Sequence, residues 1–199
     1  KEWQYYKINT VFPHILAGIC SRLGIKLIHA STDCVFSGKD GNYNEKYTPD
    51  ETKIYGLSKR LGEPENCCII RTSIIGEQIN HKYSLLEFVK SKNGQSIQGY
   101  TDHYWNGITC LQFAKSLDKI IRKNLYWVGV KHIFSPDVVS KYDLVQMISK
   151  TWGIDIFIEP VINGHCDKTL TTIHGLCNEL HIHPISKQLN ELKQFNILK

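Results

Sequence analysis

Tyr55 and Lys59 stand four residues apart in the run Tyr55-Gly56-Leu57-Ser58-Lys59, and on a helix that spacing puts both on one face. An ammonium beside a phenol favours the phenolate and lowers a tyrosine pKa that otherwise lies near ~10. A tyrosine so tuned can pass a proton to a carbonyl oxygen near neutral pH. Upstream, Ser31-Thr32-Asp33-Cys34-Val35-Phe36-Ser37-Gly38 is a polar, turn-rich stretch, and a hydroxyl such as that of Thr32 can help hold the same oxygen. Tyr and Lys at this spacing also occur on exposed helices without any chemistry, so the pair alone decides nothing.

The elements that must position these groups are short. Ile25-Lys26-Leu27-Ile28-His29-Ala30 follows Gly24 and reads as a buried strand. The hydroxyls after it then sit at a strand end, the side on which open α/β sheets bind ligands. The helix carrying Tyr55 is expected from about residue 53 to 63, stopped by Pro64. Loop 37–54, rich in Gly, Asp, Asn and Pro, is the kind that carries specificity. A second strand, residues 67–72, ends in Arg71-Thr72-Ser73 on the same crevice side.

The order strand, Ser-Thr-Asp, loop, Tyr-x-x-x-Lys is more specific than any one of its parts. With Gly41-x-Tyr43-x-Glu45, Pro49 and Tyr55-Gly56-x-Ser58-Lys59-x-x-Gly62-Glu63, it resembles the extended short-chain dehydrogenase/reductase family. Within that family it is similar to the dTDP-4-dehydrorhamnose reductase branch, strongly over residues 28–76 and more weakly afterwards. The resemblance implies an α/β fold: a Rossmann-like doubly wound parallel sheet, its N-terminal part missing, with a smaller C-terminal substrate-binding lobe. Residues 1–76 would belong to the nucleotide-binding lobe and 77–199 mainly to the substrate lobe, with about 109–134 returning to the first.

The same resemblance implies Thr32, Tyr55 and Lys59 as the catalytic trio. Tyr55 would donate the proton, Lys59 would lower its pKa and bind ribose hydroxyls, and Thr32 would hold the carbonyl oxygen. NADPH or NADH would be bound by Ser31, Tyr55, Lys59, Arg71 and Thr72. A nucleotide-linked 4-keto-6-deoxy sugar would lie against Asp33, Cys34, Val35, Phe36, Trp105 and Asn106. Read from the residues alone, Arg71 could equally pair with a carboxylate, Trp105 could staple its loop to the core, and Asn9 could be a polar residue on a helix face. No Gly-x-Gly-x-x-Gly or Gly-x-x-Gly-x-x-Gly occurs in the sequence. On the resemblance, roughly the first third of such a protein is absent, so the expectation is a fragment or a shortened product.

Composition narrows the classes. A hydrophobic share of 42% suits a globular protein with a sizeable core. The net charge of +5 is spread without long basic runs, which argues against nucleic-acid partners. No apolar run approaches the ~20 residues a membrane span needs, and no signal peptide is recognisable. The seven cysteines, an odd number, read as free thiols of a reducing cytoplasm. His165, Cys166, His174, Cys177, His181 and His183 fit no common zinc spacing, so no metal is expected. Oligomeric state is open, with a homodimer among the options.

Along the chain, residues 3–23 carry a helix with an awkward Pro13 inside it. An amphipathic helix is expected over 82–92, a short strand over 95–100 and a polar-aromatic loop over 101–109, the segment that caps the substrate pocket in the reductase branch. Then come a helix over 109–123, a strand over 127–134, a helix over 141–152 capped by Ser140, a strand over 154–158 and a final helix over 186–195. Two further readings stay open. Cys34 lies two residues after Thr32, the spacing of an acid/base cysteine in the related GDP-fucose synthases, which allows a combined epimerase/reductase. Some relatives, such as the regulatory β subunit of methionine adenosyltransferase, are binding partners and not reductases.

Overall fold

The computed structural model describes residues 2–78 and 83–197. It opens with a helical stretch in three parts: α1 (Glu2–Tyr5), a π turn over Tyr6–Val11, and α2 (Phe12–Arg22). The proline that looked awkward lies in the first turn of α2, where its missing N–H costs little, and the wider π turn precedes it. Pro13, Ala17 and Cys20 are buried. Ile8, Phe12, Ile15, Ile19 and Leu23, also at helical spacing, are exposed.

Next come β1 (Ile28–Thr32), a 3-10 turn over Asp33–Val35, α3 (Ile54–Arg60), β2 (Cys68–Thr72) and β3 (Ile74–Ile75). They are followed by α4 (Leu85–Lys90), β4 (Gln95–Tyr100), β5 (His103–Trp105), β6 (Ile108–Thr109) and α5 (Cys110–Arg122). The chain continues with β7 (Gly129–His132), β8 (Val139–Ser140), α6 (Lys141–Trp152), β9 (Ile156–Val161), β10 (Cys166–Asp167), α7 (Leu176–Leu180) and α8 (Ile185–Ile197).

The central sheet runs β1-β2-β7 and is parallel throughout. Its register sets Ser31 against Arg71 and Thr32 against Thr72, so both strands end at one level. Cys68, Ile70, Ile108, Ile120 and Ile133 form the core around this sheet. A second core gathers Leu86, Val89, Leu144, Ile148 and Leu189 from α4, α6 and α8, with Trp105 from β5. α6 is framed by reciprocal Ser140–Asp143 capping and by Gly153 in the left-handed region, φ 68°, the signals that mark helix ends in sequence.

Several expectations shift: the strand placed at 25–30 is β1, Ile28–Thr32, with Ile25 exposed, and the one placed at 127–134 is β7, Gly129–His132. The helix placed at 82–92 is α4, shorter at its end, and its expected start at residue 82 lies outside the described residues. The strand placed at 154–158 runs through Pro160 to Val161, because among the described residues β9 pairs only with β4 and an edge strand tolerates proline. The loop placed at 101–109 contains β5 and β6. No helix of the described residues is long and apolar enough to cross a membrane.

Candidate active site

β1 delivers Ser31 and Thr32 to its C-terminal end and passes at once into the Asp33–Val35 turn. Thr32 caps that turn, its Oγ1 accepting from the Cys34 N–H at 3.1 Å and donating to Asp33 Oδ1 at 3.1 Å. Asp33 is buried, and burial pushes its carboxyl above the usual range against the pull of Thr32 and Ser73. Burial, with Asp33 beside it, pushes the Cys34 thiol up to about 11. At neutral pH Cys34 is therefore a protonated thiol.

α3 presses directly on this turn. A Cβ on Gly56 would stand 2.1 Å from the Cys34 carbonyl oxygen, so only glycine permits the approach. At the other end, a Cβ on Gly62 would meet the Asn9 carbonyl oxygen at 1.7 Å. Asn9 Nδ2 donates to Ser58 Oγ at 3.1 Å and Thr10 Oγ1 donates to the Ser58 carbonyl at 2.7 Å. Both come from the π turn, so Asn9 reaches the site through α3, as a residue that holds the helix carrying Tyr55.

Tyr55 leaves α3 toward the end of β1 and is 45% exposed. Partial burial pushes its phenol above the ordinary range; Cys34 and Asp33 push the same way, and the nearby Thr32 hydroxyl pulls it down. This corrects the expectation of a lowered phenol pKa. The Lys59 ammonium donates to the Ala30 carbonyl at 2.8 Å. Burial holds Lys59 itself below the usual lysine range, against the pull of Glu63.

Other sequence candidates have different jobs. Val35 and Phe36 are both 0% exposed, packed with Tyr43 and Leu170, and Phe36 stacks on Tyr43 with centroids 4.3 Å apart. They support the turn from beneath and offer a substrate no surface. Arg71 is also turned away from the crevice. Its Nε and Nη2 donate to Glu63 Oε1 and Oε2 at 2.9 and 2.6 Å, a bidentate pair that Ser31 Oγ joins at 2.5 Å. Arg71 is thus the carboxylate partner, tying the end of α3 to paired positions on β1 and β2. Thr72 is buried beside Thr32.

Asn106 binds the Leu170 backbone through its amide, donating to the carbonyl at 2.8 Å and accepting from the N–H at 2.9 Å. It is buried and holds the 170 segment, with one N–H left over by those two bonds. Trp105 is buried, and its Nε1 donates to Ser73 Oγ at 2.8 Å. It staples the loop and also lines a small cavity of about 130 Å³ with Ser73 and Lys141.

Two cations that sequence reading passed over face this centre. Lys168 feels Cys34, Asp33 and Glu51 and pairs with Glu51 at 3.4 Å. Lys141 lies near Asp33 and Cys34, with its ammonium 5.7 Å from the Trp105 ring centroid. A signal for Lys141 existed. Lys141, Leu144, Val145 and Ile148 fall at i, i+3, i+4 and i+7, so a charge occupies a position on the apolar face of α6. Among the described residues no three His, Cys, Asp or Glu side chains are grouped to hold a metal ion.

Comparison with known proteins adds to this geometry. The RmlD substrate binding domain family matches residues 1–170. The spore coat polysaccharide biosynthesis protein SpsK of Bacillus subtilis is 28% identical over 162 residues, 77% of this chain and 56% of that protein. The dTDP-4-keto-6-deoxy-D-glucose reductase of Streptomyces niveus is 26% identical over 149 residues, 70% of this chain and 51% of that protein. The chain therefore spans about half the length of these curated relatives. The solved structure of dTDP-4-dehydrorhamnose reductase from Bacillus anthracis, in complex with NADP, superposes with a TM-score of 0.77 at 21% identity. It covers 98% of this chain and 73% of that one. That likeness shows a Rossmann-like α/β fold.

Proposed function

The chain belongs to the RmlD substrate binding domain family, and on that premise we propose that it serves the NAD(P)H-dependent reduction of the 4-keto group of a nucleotide-linked 4-keto-6-deoxy sugar, a step toward deoxysugar-containing glycan precursors. One observation carries this reading. Gly56 lets α3 close onto the Cys34 carbonyl, and so the half-exposed Tyr55 phenol stands beside the Thr32 hydroxyl at the end of a parallel strand.

The residues present fit the nicotinamide end of a dinucleotide. Tyr55 and Lys59 stand one helical turn apart on α3, next to the carboxyl ends of β1 and β2, where α/β sheets take such ligands. Lys59 offers three donors and uses one on Ala30, so ribose hydroxyls can be met by the others. The dinucleotide, when bound, supplies the hydride.

The protein's own groups supply orientation and a proton. Thr32 Oγ1, placed by the turn it caps, turns its single proton from Asp33 Oδ1 to the ketone oxygen as the substrate enters. Tyr55 donates its phenolic proton to that oxygen as the carbon is reduced. The exposed side of the ring lets solvent return the proton. Cys34, a neutral thiol pushed up to about 11, is no ready base at pH 7, so the reading stays with simple reduction.

The test is NADPH oxidation in the presence of a dTDP- or UDP-linked 4-keto-6-deoxy sugar, wild type against Tyr55→Phe. Losing the proton donor is expected to lower the rate by ~100-fold or more. Equal rates would remove Tyr55 from the mechanism.

A further inference from the structure

Two cavities meet at one lysine. The inner one, about 130 Å³, lies under Trp105 and Ser73. The outer one, about 540 Å³, is walled by Phe88, Tyr100 and His103 among others. Leu85 and Lys141 line both. The outer space is of the size that holds small ligands and is lined as such sites are, with apolar and aromatic faces and a few polar groups. His103 contributes a buried Nε2 with no hydrogen-bond partner among the described residues, and its ring lies 4.8 Å from that of Tyr100.

Lys141 is half-buried, and its ammonium makes no hydrogen bond or ion pair among the described residues. The opposite charge that acts on it most is the buried Asp33, whose carboxyl burial already pushes toward the neutral form. It also stands in the first turn of α6, where the helix dipole adds positive potential. A partly desolvated cation without a fixed partner costs stability that an entering anion offsets.

We propose that Lys141 is the specificity-determining cation that takes the diphosphate of the nucleotide sugar. The sugar then points into the Asp33–Trp105 end, and the nucleoside lies along Tyr100 and Phe88. This assignment rests on the function proposed above and adds to it the group that tells a nucleotide-linked sugar from a free one.

The test measures binding of dTDP and UDP, each against its nucleoside, to wild type, Lys141→Gln and Lys141→Arg, with the melting temperature of each ligand-free protein as a fold check. Lys141→Gln is expected to weaken the better diphosphate by ~10- to 100-fold, to leave the nucleoside unchanged and not to lower the melting temperature. Lys141→Arg should recover most of the loss. Equal diphosphate affinity in wild type and Lys141→Gln overturns the role of Lys141 and leaves the reductase reading standing, as does an equal loss for diphosphate and nucleoside. A wild type that binds neither dTDP nor UDP overturns the nucleotide-sugar reading itself, and the lysine's role with it.

Discussion

Gly56→Ala tests whether the site depends on the close approach of α3 to the Asp33–Val35 turn. The added Cβ would lie 2.1 Å from the Cys34 carbonyl oxygen and 2.5 Å from Glu51 Cγ. Glu51 is held by the N–H groups of Thr52 and Lys53 and by Lys168, and the Cys34 N–H is held by Thr32 Oγ1. An ordinary carbon–oxygen contact is about 3.3–3.6 Å, so α3 must retreat by roughly 1 Å. Such a displacement between reacting groups costs on the order of 100-fold in rate, and here it separates Tyr55 from Thr32. Overpacking costs about 1–3 kcal/mol, while helix propensity returns up to ~1 kcal/mol for Gly→Ala, so the net loss of stability is about 0–3 kcal/mol. The rate should therefore fall much further than the fold weakens. Gly18→Ala is the control: it lies within α2 with nothing inside 4 Å of its Cβ position, and should be neutral or slightly stabilising. NADPH oxidation and thermal melts of both variants decide the matter. A Gly56→Ala protein with wild-type rate, or a Gly18→Ala protein that loses as much, would refute the reasoning.

Arg71→Met should act on stability and leave cofactor affinity alone. It strands the Glu63 carboxylate, whose side chain is 8% exposed against 6% for Arg71, at a cost of about 3–5 kcal/mol in denaturant unfolding. A raised KM for NADPH with unchanged stability would instead make Arg71 a cofactor ligand. Cys34, with its thiol pushed up to about 11, should resist iodoacetamide at pH 7–8 and react faster as pH rises toward that value, since the thiolate is the nucleophile. Mass spectrometry at Cys34 checks this, and rapid labelling at pH 7 would show that the thiol is activated.

Elements with a strong period or a marked end were legible. α6 has its Ser140 cap and Gly153, and β1 and β2 are short apolar runs after breakers. The motif order in 28–76 also pointed to the family. Individual roles were harder because they depend on partners distant in sequence. Asn106 looked like a free amide at a loop tip, but it is buried and bonds the Leu170 carbonyl and N–H. Val35 and Phe36 sit next to Thr32 in sequence, yet the turn after β1 rotates them under the loop onto Tyr43 and Leu170. Arg71 follows the strand's alternation to the face where Glu63 waits. For Lys141 the clue was local, a charge on an apolar face. Its meaning came only from the two cavities that the fold places on either side.

The direction of the Tyr55 shift bears on what the site is built to do. A general base needs its phenolate populated near pH 7, which asks for a lowered pKa. A proton donor to a forming alkoxide must be protonated in the working range, which a phenol near ~10 already is, while a further rise makes it a weaker acid. Partial burial and the proximity of Cys34 and Asp33 keep Tyr55 protonated. Lys59 is then free to act through geometry. Its bond to the Ala30 carbonyl ties α3 to β1 just before Ser31, while the Glu63 pair with Arg71 ties the far end of α3 to β2. Two polar anchors and one glycine contact thus set the distance from Tyr55 to Thr32. A reduction that draws its proton from the protein depends on that distance more than on a tuned phenol.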